Sequence, residues 1–129
     1  MIYYAERISG FLPLARPFFR RINTGQITAV TSPITLSECL TPPYREGNQT
    51  LASQFLQLIT GGPHTHFMQI NAEIAAQAAR FRVQYNLRLP DALQVATAVY
   101  ANCDAFLTND KQLARIQELQ VIGLDELHV

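Results

Sequence analysis

The segment from Ala92 to Ala101 is the strongest constraint on the fold. Its side chains are small and apolar nearly all the way round a helix, and a helix of this kind is buried rather than lying on the surface. The short apolar run Ala105–Thr108 follows almost directly. Because small side chains let a helix pack closely on a sheet, we expect this pair to belong to a layered α/β core.

Short β-branched or apolar runs alternate with helical patterns along the chain. Strands are predicted at Gln26–Thr31, within His64–Ile70, at Ala105–Thr108 and at Gln120–Gly123. Helices are predicted at Arg16–Ile22, from Pro33 to just before Pro42, at Thr50–Thr60, at Ala72–Gln84, at Ala92–Ala101 and at Lys111–Glu118. Such alternation predicts α/β units on a parallel sheet. In open parallel sheets, sites gather at the carboxyl ends of the strands.

Length and composition fit a single domain whose cysteines are reduced. The 129 residues suit a single domain spanning 1–129, and the two cysteines, Cys39 and Cys103, do not make a disulfide framework. No apolar run approaches the length of about 18 residues that a spanning helix needs. We therefore expect a cytoplasmic protein with no membrane partner. The net charge is zero, so bulk electrostatics does not indicate a nucleic-acid binder.

Three acidic residues fall near the carboxyl ends of the predicted strands. Asp110 follows the strand Ala105–Thr108, Glu38 lies in the helix after Gln26–Thr31, and Asp91 begins the buried helix. Taken singly, each is explained as a helix cap, a turn residue or a water-facing side chain. Together they would repel one another unless a divalent cation neutralised them. Thr108 and Asn109 add a hydroxyl and an amide that suit an accessory role. This arrangement is typical of metal-assisted hydrolysis.

Three segments of the sequence resemble the PIN-domain family, and within it the VapC-type toxin ribonucleases. The first is Thr31–Glu38, a strand, turn and helix carrying its acid. The second, and the most specific, is Tyr85–Ala98, which contains Leu-Arg-Leu-Pro-Asp-Ala-Leu. The third is Ala105–Leu113, which contains Phe-Leu-Thr-Asn-Asp. The resemblance runs in order through nearly the whole chain, up to Val121–Asp125.

The resemblance implies both a fold and an activity. The fold would be a three-layer α/β/α structure with a central parallel sheet. The activity would be that of a metal-dependent endoribonuclease, with Mg²⁺ or Mn²⁺ held by Glu38, Asp91 and Asp110 and the ion activating water for attack on phosphorus. Many relatives pair with an antitoxin protein and form dimers, so RNA, a cognate antitoxin and a second copy of the chain are the expected partners.

One departure from the family pattern concerns the start of the chain. The family opens with a strand that ends in an Asp, whereas Met1–Glu6 resembles a later family stretch. The expectation is that the first strand and its Asp are missing, with Glu6 not replacing that Asp. Loss of this acid favours an alternative function, a catalytically impaired PIN-like module that binds RNA or a protein partner. A third hypothesis is a plain α/β regulatory domain in which the acidic residues serve only as helix caps.

The basic residues are almost all arginine. Nine of the ten cations are Arg, and Arg16, Arg20 and Arg21 form the one basic cluster near the start. Arg makes bidentate contacts to phosphate that Lys cannot make. The cluster therefore suits RNA or an acidic antitoxin segment, with ordinary solvated surface as the alternative.

Overall fold

The computed structural model describes residues 1–6, 20–108 and 110–123. The strands are β1 (Ile2–Ala5), β2 (Thr28–Thr31), β3 (Thr65–Phe67), β4 (Ala105–Thr108) and β5 (Gln120–Gly123). The helices are α1 (Pro33–Arg45), α2 (Gln49–Gly61), α3 (Ala72–Tyr85) and α4 (Leu89–Tyr100), followed by a 3₁₀ helix at Lys111–Arg115. All strands are parallel, so the predicted α/β class with a central parallel sheet is confirmed.

The middle strand of the sheet is β1. The strand order is β3-β2-β1-β4-β5, and Tyr3 lies opposite Ala29 of β2 on one side and Ala105 of β4 on the other. The expectation that the first strand is missing was therefore wrong. Four residues are too few for a strand pattern to stand out from a helical one, and what makes Ile2–Ala5 a strand is its pairing on both edges.

Alternate side chains of the sheet belong to two separate cores. Tyr4, Val30 and Phe106 pack with α3 and α4, and the Tyr4 ring stacks on Phe106 with centroids 5.1 Å apart. Tyr3 and Ala5 belong to a second core that includes Ile22, from the helical residues 20–23. Because neighbouring strand residues point to opposite faces, the two cores lie on opposite faces of the sheet. The fold is thus the three-layer α/β/α arrangement.

The helix α1 begins at a capping box. Ser32 is the N-cap, its Oγ accepts a hydrogen bond from the Ile34 N–H, and Thr35 Oγ1 accepts one from the Ser32 N–H. The helix was predicted to end before Pro42, but it continues to Arg45. The two prolines occupy its last turns, where Pro43 is buried and the Pro42 carbonyl accepts from Glu46 N–H. Packing and these closing bonds outweigh the N–H donors that proline lacks.

The helices α3 and α4 form the layer that carries the Ala-rich segment. Asn71 caps α3 and Asn86 ends it at φ 56°, in the left-handed region that asparagine tolerates. Helix α4 is buried along most of its length, as predicted for the segment Ala92–Ala101. The predicted helix at Lys111–Glu118 is instead a 3₁₀ helix that ends at Arg115.

The first part of the predicted helix Arg16–Ile22 lies outside the described residues. Within the described ranges, none of the helices is both long and apolar enough to span a membrane.

Candidate active site

The carboxyl ends of the five strands meet at one edge of the sheet. The chain builds β2 and β3 on one side of β1 and then crosses to build β4 and β5 on the other. The order of construction therefore reverses between β1 and β4. In parallel sheets, ligands bind in the crevice at such a switch point. The residues that directly follow β1 and β4 are therefore the first candidates for chemistry.

Glu6 follows β1 directly and is buried. Its backbone N–H donates to the Leu107 carbonyl at 3.2 Å, which continues the β1–β4 pairing. Its Oε2 accepts a short hydrogen bond from the Thr108 hydroxyl. Burial raises the pKa of Glu6 to about 7, Thr108 partly offsets this, and the negative charges of Asp91, Glu38 and Asp110 raise it further. Glu6 therefore lies in a common negative field with all three predicted acids.

Glu38 projects from α1 toward α4. It is half-buried, and its Oε1 accepts a hydrogen bond of 2.8 Å from Nε2 of Gln94. Gln94 lies on α4 and is fully buried. A mid-helix acid that faced water would have no such partner, so the solvated interpretation of Glu38 does not hold.

Asp91 lies in the first turn of α4 and is buried. Its Oδ2 is 3.2 Å from Nε of Arg88, whose side chain is 75% exposed. A carboxylate at this place also interacts favourably with the helix dipole. Both the site interpretation and the cap interpretation therefore remain compatible with its position.

Asp110 lies two residues beyond β4 and is half-buried. Its Oδ1 accepts from the Gln112 N–H at 3.0 Å, which makes it the N-cap of the 3₁₀ helix. Its own N–H donates to Thr108 Oγ1 at 2.9 Å. The Thr108 hydroxyl thus joins Asp110 and Glu6, since it accepts from one residue and donates to the other.

A small pocket opens beside two of the acids. It has a volume of about 140 Å³, and its lining includes Asp91, Asp110, Arg88 and Arg115. Arg115 is held by the carbonyls of Gln112 and Tyr85. The pocket therefore brings two guanidinium groups to the edge of the acidic site.

Most of the sequence matches one family. The model of the PIN domain matches residues 12–119, which is most of the chain. The chain belongs to the PIN-domain family. No relative was found among curated proteins.

Several solved structures share the fold of this PIN domain. A toxin–antitoxin complex from Klebsiella pneumoniae matches with a TM-score of 0.71 and 18% identity, over 98% of this chain and 100% of that one. VapBC2 from Rickettsia felis, bound to a DNA fragment from its promoter, matches with a TM-score of 0.71 and 18% identity, over 95% and 98%. VapC20 from Mycobacterium tuberculosis, described as a toxin that cleaves the sarcin-ricin loop, matches with a TM-score of 0.66 and 16% identity, over 92% and 98%.

The sequence-based site of this PIN domain lacked a fourth acid. The structure places Glu6 directly after the central strand β1. The expectation that Glu6 does not replace the family's Asp stays a prediction, because the family match begins at residue 12. The available signal was the apolar run Ile2–Ala5 followed at once by an acid.

The acids of this PIN domain have the right chemistry for a hard divalent cation. All four offer carboxylate oxygens, and Mg²⁺ needs only one or two direct carboxylates because it keeps several waters. Burial raises the pKa of Glu6, and the charges of Asp91, Glu38 and Asp110 raise it further. In the described ranges, no three His, Cys, Asp or Glu side chains come close enough together to enclose one ion. The donor set therefore suits an open, partly hydrated site.

The remaining predicted residues of this PIN domain are Asn109 and the arginine cluster near the start of the chain. Asn109 and Arg16 lie outside the described residues. Arg20 and Arg21 lie close to the turn that leads into β2, since the Arg21 carbonyl accepts from Gln26 N–H and Ile27 N–H. Their backbone is therefore at the opposite end of the sheet from the acids. Among the described residues, Arg88 and Arg115 line the pocket with Asp91 and Asp110, and the sequence analysis did not single them out.

Proposed function

We propose that this PIN domain is a metal-dependent endoribonuclease and the toxin of a toxin–antitoxin pair. One observation carries the proposal. Glu38, Asp91 and Asp110 come from three separate parts of the fold, and all three act on the buried carboxyl of Glu6 at the switch point of the sheet. Four mutually repelling carboxylates are costly to a fold. They are expected where a cation neutralises them.

Each acid has a distinct role in the proposed site. Glu6 and Asp110 flank the crevice between β1 and β4, Glu38 approaches from α1, and Asp91 from the start of α4. One or two of these carboxylates would hold Mg²⁺ or Mn²⁺ directly, and the others would act on it through its bound waters. When bound, such an ion neutralises the phosphate and makes a water available for attack on phosphorus.

Two neighbours of the acids have supporting roles in the proposal. Thr108 orients Glu6 by donating to its Oε2, and Asn109 is an accessory residue beside it. Arg88 balances the charge of Asp91. No side-chain nucleophile is required, because water is the attacking group.

The partners are proposed from the solved structures that share this fold. VapC20 is described as a toxin that cleaves the sarcin-ricin loop, and the Klebsiella structure is a toxin–antitoxin complex. We accordingly propose RNA as the substrate, an antitoxin protein as partner, a homodimer as the assembly and the cytoplasm as the compartment. Arg16, Arg20 and Arg21 remain candidates for contact with RNA or with an acidic antitoxin segment.

The test is RNA cleavage by the purified chain. Wild type, Asp91→Asn and Glu73→Gln are incubated with a mixed RNA in Mn²⁺, beside wild type in EDTA. Glu73 is an exposed acid in the first turn of α3, so its variant controls for loss of a surface charge. We expect cutting by wild type and by Glu73→Gln alone. Cutting that survives in EDTA or in Asp91→Asn refutes the proposed mechanism.

A second candidate function is a catalytically impaired PIN module that binds RNA or a protein. The observation in its favour is that the residue after β1 is Glu, where the resemblance implies Asp. The longer Glu6 side chain accepts a hydrogen bond from Thr108, and burial raises its pKa. Binding of RNA by wild type and Asp91→Asn alike, with no cleavage by either, would support this candidate. Binding through phosphate contacts should weaken as salt rises.

A further inference from the structure

A chain of buried hydrogen bonds leads from the start of α1 to Glu38. Tyr4 Oη lies 2.8 Å from Ser32 Oγ and 3.2 Å from Gln94 Oε1, and Gln94 Nε2 lies 2.8 Å from Glu38 Oε1. Ser32, Tyr4 and Gln94 are all fully buried. Water therefore cannot replace any of these three residues as a partner, and their hydroxyl protons must go to protein atoms.

The available hydroxyl protons determine which group donates in each of these hydrogen bonds. Thr35 Oγ1 is 3.1 Å from Tyr4 Oη, but its proton is donated to the Ala5 carbonyl. Ser32 Oγ accepts from the Ile34 N–H, so the Ser32 proton is still available, and Tyr4 Oη is the acceptor within reach. Tyr4 then donates its own proton to Gln94 Oε1.

That direction determines which way the Gln94 amide is turned. With Oε1 occupied by the Tyr4 hydroxyl, Nε2 must face Glu38. The reverse orientation would set Oε1 of Gln94 against Oε1 of Glu38, and neither oxygen could donate to the other. The amide is thus locked as a donor toward Glu38.

We propose that Gln94 is a positioning residue that holds Glu38 as an acceptor in the site, with Tyr4 and Ser32 fixing its orientation. This inference builds on the proposed function, because the carboxylate it orients is one of the four proposed to form the cation site. The geometry suits the task. One oxygen of Glu38 is held by the amide, which fixes the carboxylate plane relative to α4. Partners of this kind typically change metal affinity or activity by about 10–100-fold when they are removed.

The first experiment measures Mn²⁺ affinity by titration calorimetry on the full chain. Gln94→Met keeps the length of the side chain and removes the donor, and Tyr4→Phe removes the phenol oxygen while keeping the ring stacked on Phe106. Gln84→Met is the matched control, since Gln84 is an exposed residue of α3. We expect about a 10-fold or greater loss of affinity in Gln94→Met, a smaller loss in Tyr4→Phe and none in Gln84→Met. Wild-type affinity in a folded Gln94→Met or Tyr4→Phe chain overturns the inference.

The second experiment needs no metal and no activity. In the chelated wild type, the side-chain amide protons of Gln94 should exchange with solvent far more slowly than those of Gln84, and their resonances should shift in Glu38→Ala. The hydrogen-bond chain is refuted if the Gln94 amide protons exchange as fast as those of Gln84. It is also refuted if the Gln94 resonances do not shift in Glu38→Ala. If wild type binds no Mn²⁺, the proposed function fails, and the amide-exchange result alone decides whether Gln94 holds Glu38.

Discussion

Glu6 should make the metal-free protein lose stability as the pH rises. The folded state raises its pKa from 4.5 to about 7, so folding favours the protonated carboxyl. The stability that Glu6 contributes is complete below about pH 4.5 and is lost as the pH rises through 7. At 1.36 kcal/mol per pKa unit, the shift amounts to about 3 kcal/mol.

Glu6→Gln removes the charge and keeps the shape. A glutamine carbonyl can still accept from Thr108, so the variant loses the titration and not the hydrogen bond. In EDTA, we expect wild type and variant to unfold at similar temperatures near pH 5. At pH 8 the variant should be more stable by about 3 kcal/mol, which in a domain of this size is about 10 °C in Tm.

The assay is thermal and urea unfolding at intervals between pH 5 and pH 8, with chelator present throughout. Glu73→Gln is the control, because the exposed Glu73 has no comparable burial. Its curve should run parallel to that of wild type. If the Glu6→Gln curve also runs parallel to wild type across this range, the account of Glu6 as a buried acid in a negative field is refuted.

Three further outcomes follow from the structure. Mn²⁺ at about 100 times its Kd should stabilise wild type by about 2.7 kcal/mol and should not stabilise Asp91→Asn; equal Tm gains in both chains would contradict a site that includes Asp91. Asn86→Ala should destabilise the fold by about 1 kcal/mol in urea unfolding, because alanine is strained at φ 56°, and an unchanged midpoint would argue against that backbone conformation. Phe81→Ala, at a fully buried position of α3, should cost about 3–5 kcal/mol, and a cost under 1 kcal/mol would refute its place in the core.

The sequence predicted the parts of the site whose signals are local. Asp91 opens a helix of unusual composition, and Asp110 follows a short apolar run, so each could be placed on its element without knowledge of the rest. Glu38 was placed by its distance from a predicted strand. All three lie in one field around Glu6, which is the juxtaposition that a parallel sheet requires of residues at its carboxyl edge.

The missed parts depend on contacts between distant segments. Ile2–Ala5 is a strand because β2 and β4 bind its two edges, and nothing within four residues reveals those partners. Glu6 was missed for the same reason. Gln94 looked like one more residue of a buried helix, and its role depends on Tyr4, ninety positions earlier in the chain. The extension of α1 through Pro42 and Pro43 likewise reflects burial rather than local preference.

The central place of β1 has a consequence for how the protein is made. In the described sheet, β1 alone joins the β2–β3 pair to the β4–β5 pair. Of the five described strands, β1 is synthesised first, so it waits for Ala105–Thr108 before its second edge is covered. Until then the nascent chain displays an open, apolar strand edge of the kind that chaperones protect and that aggregates form on. The pairing of β1 with β4, which brings Glu6 and Asp110 to the same edge of the sheet, is thus a late event of synthesis.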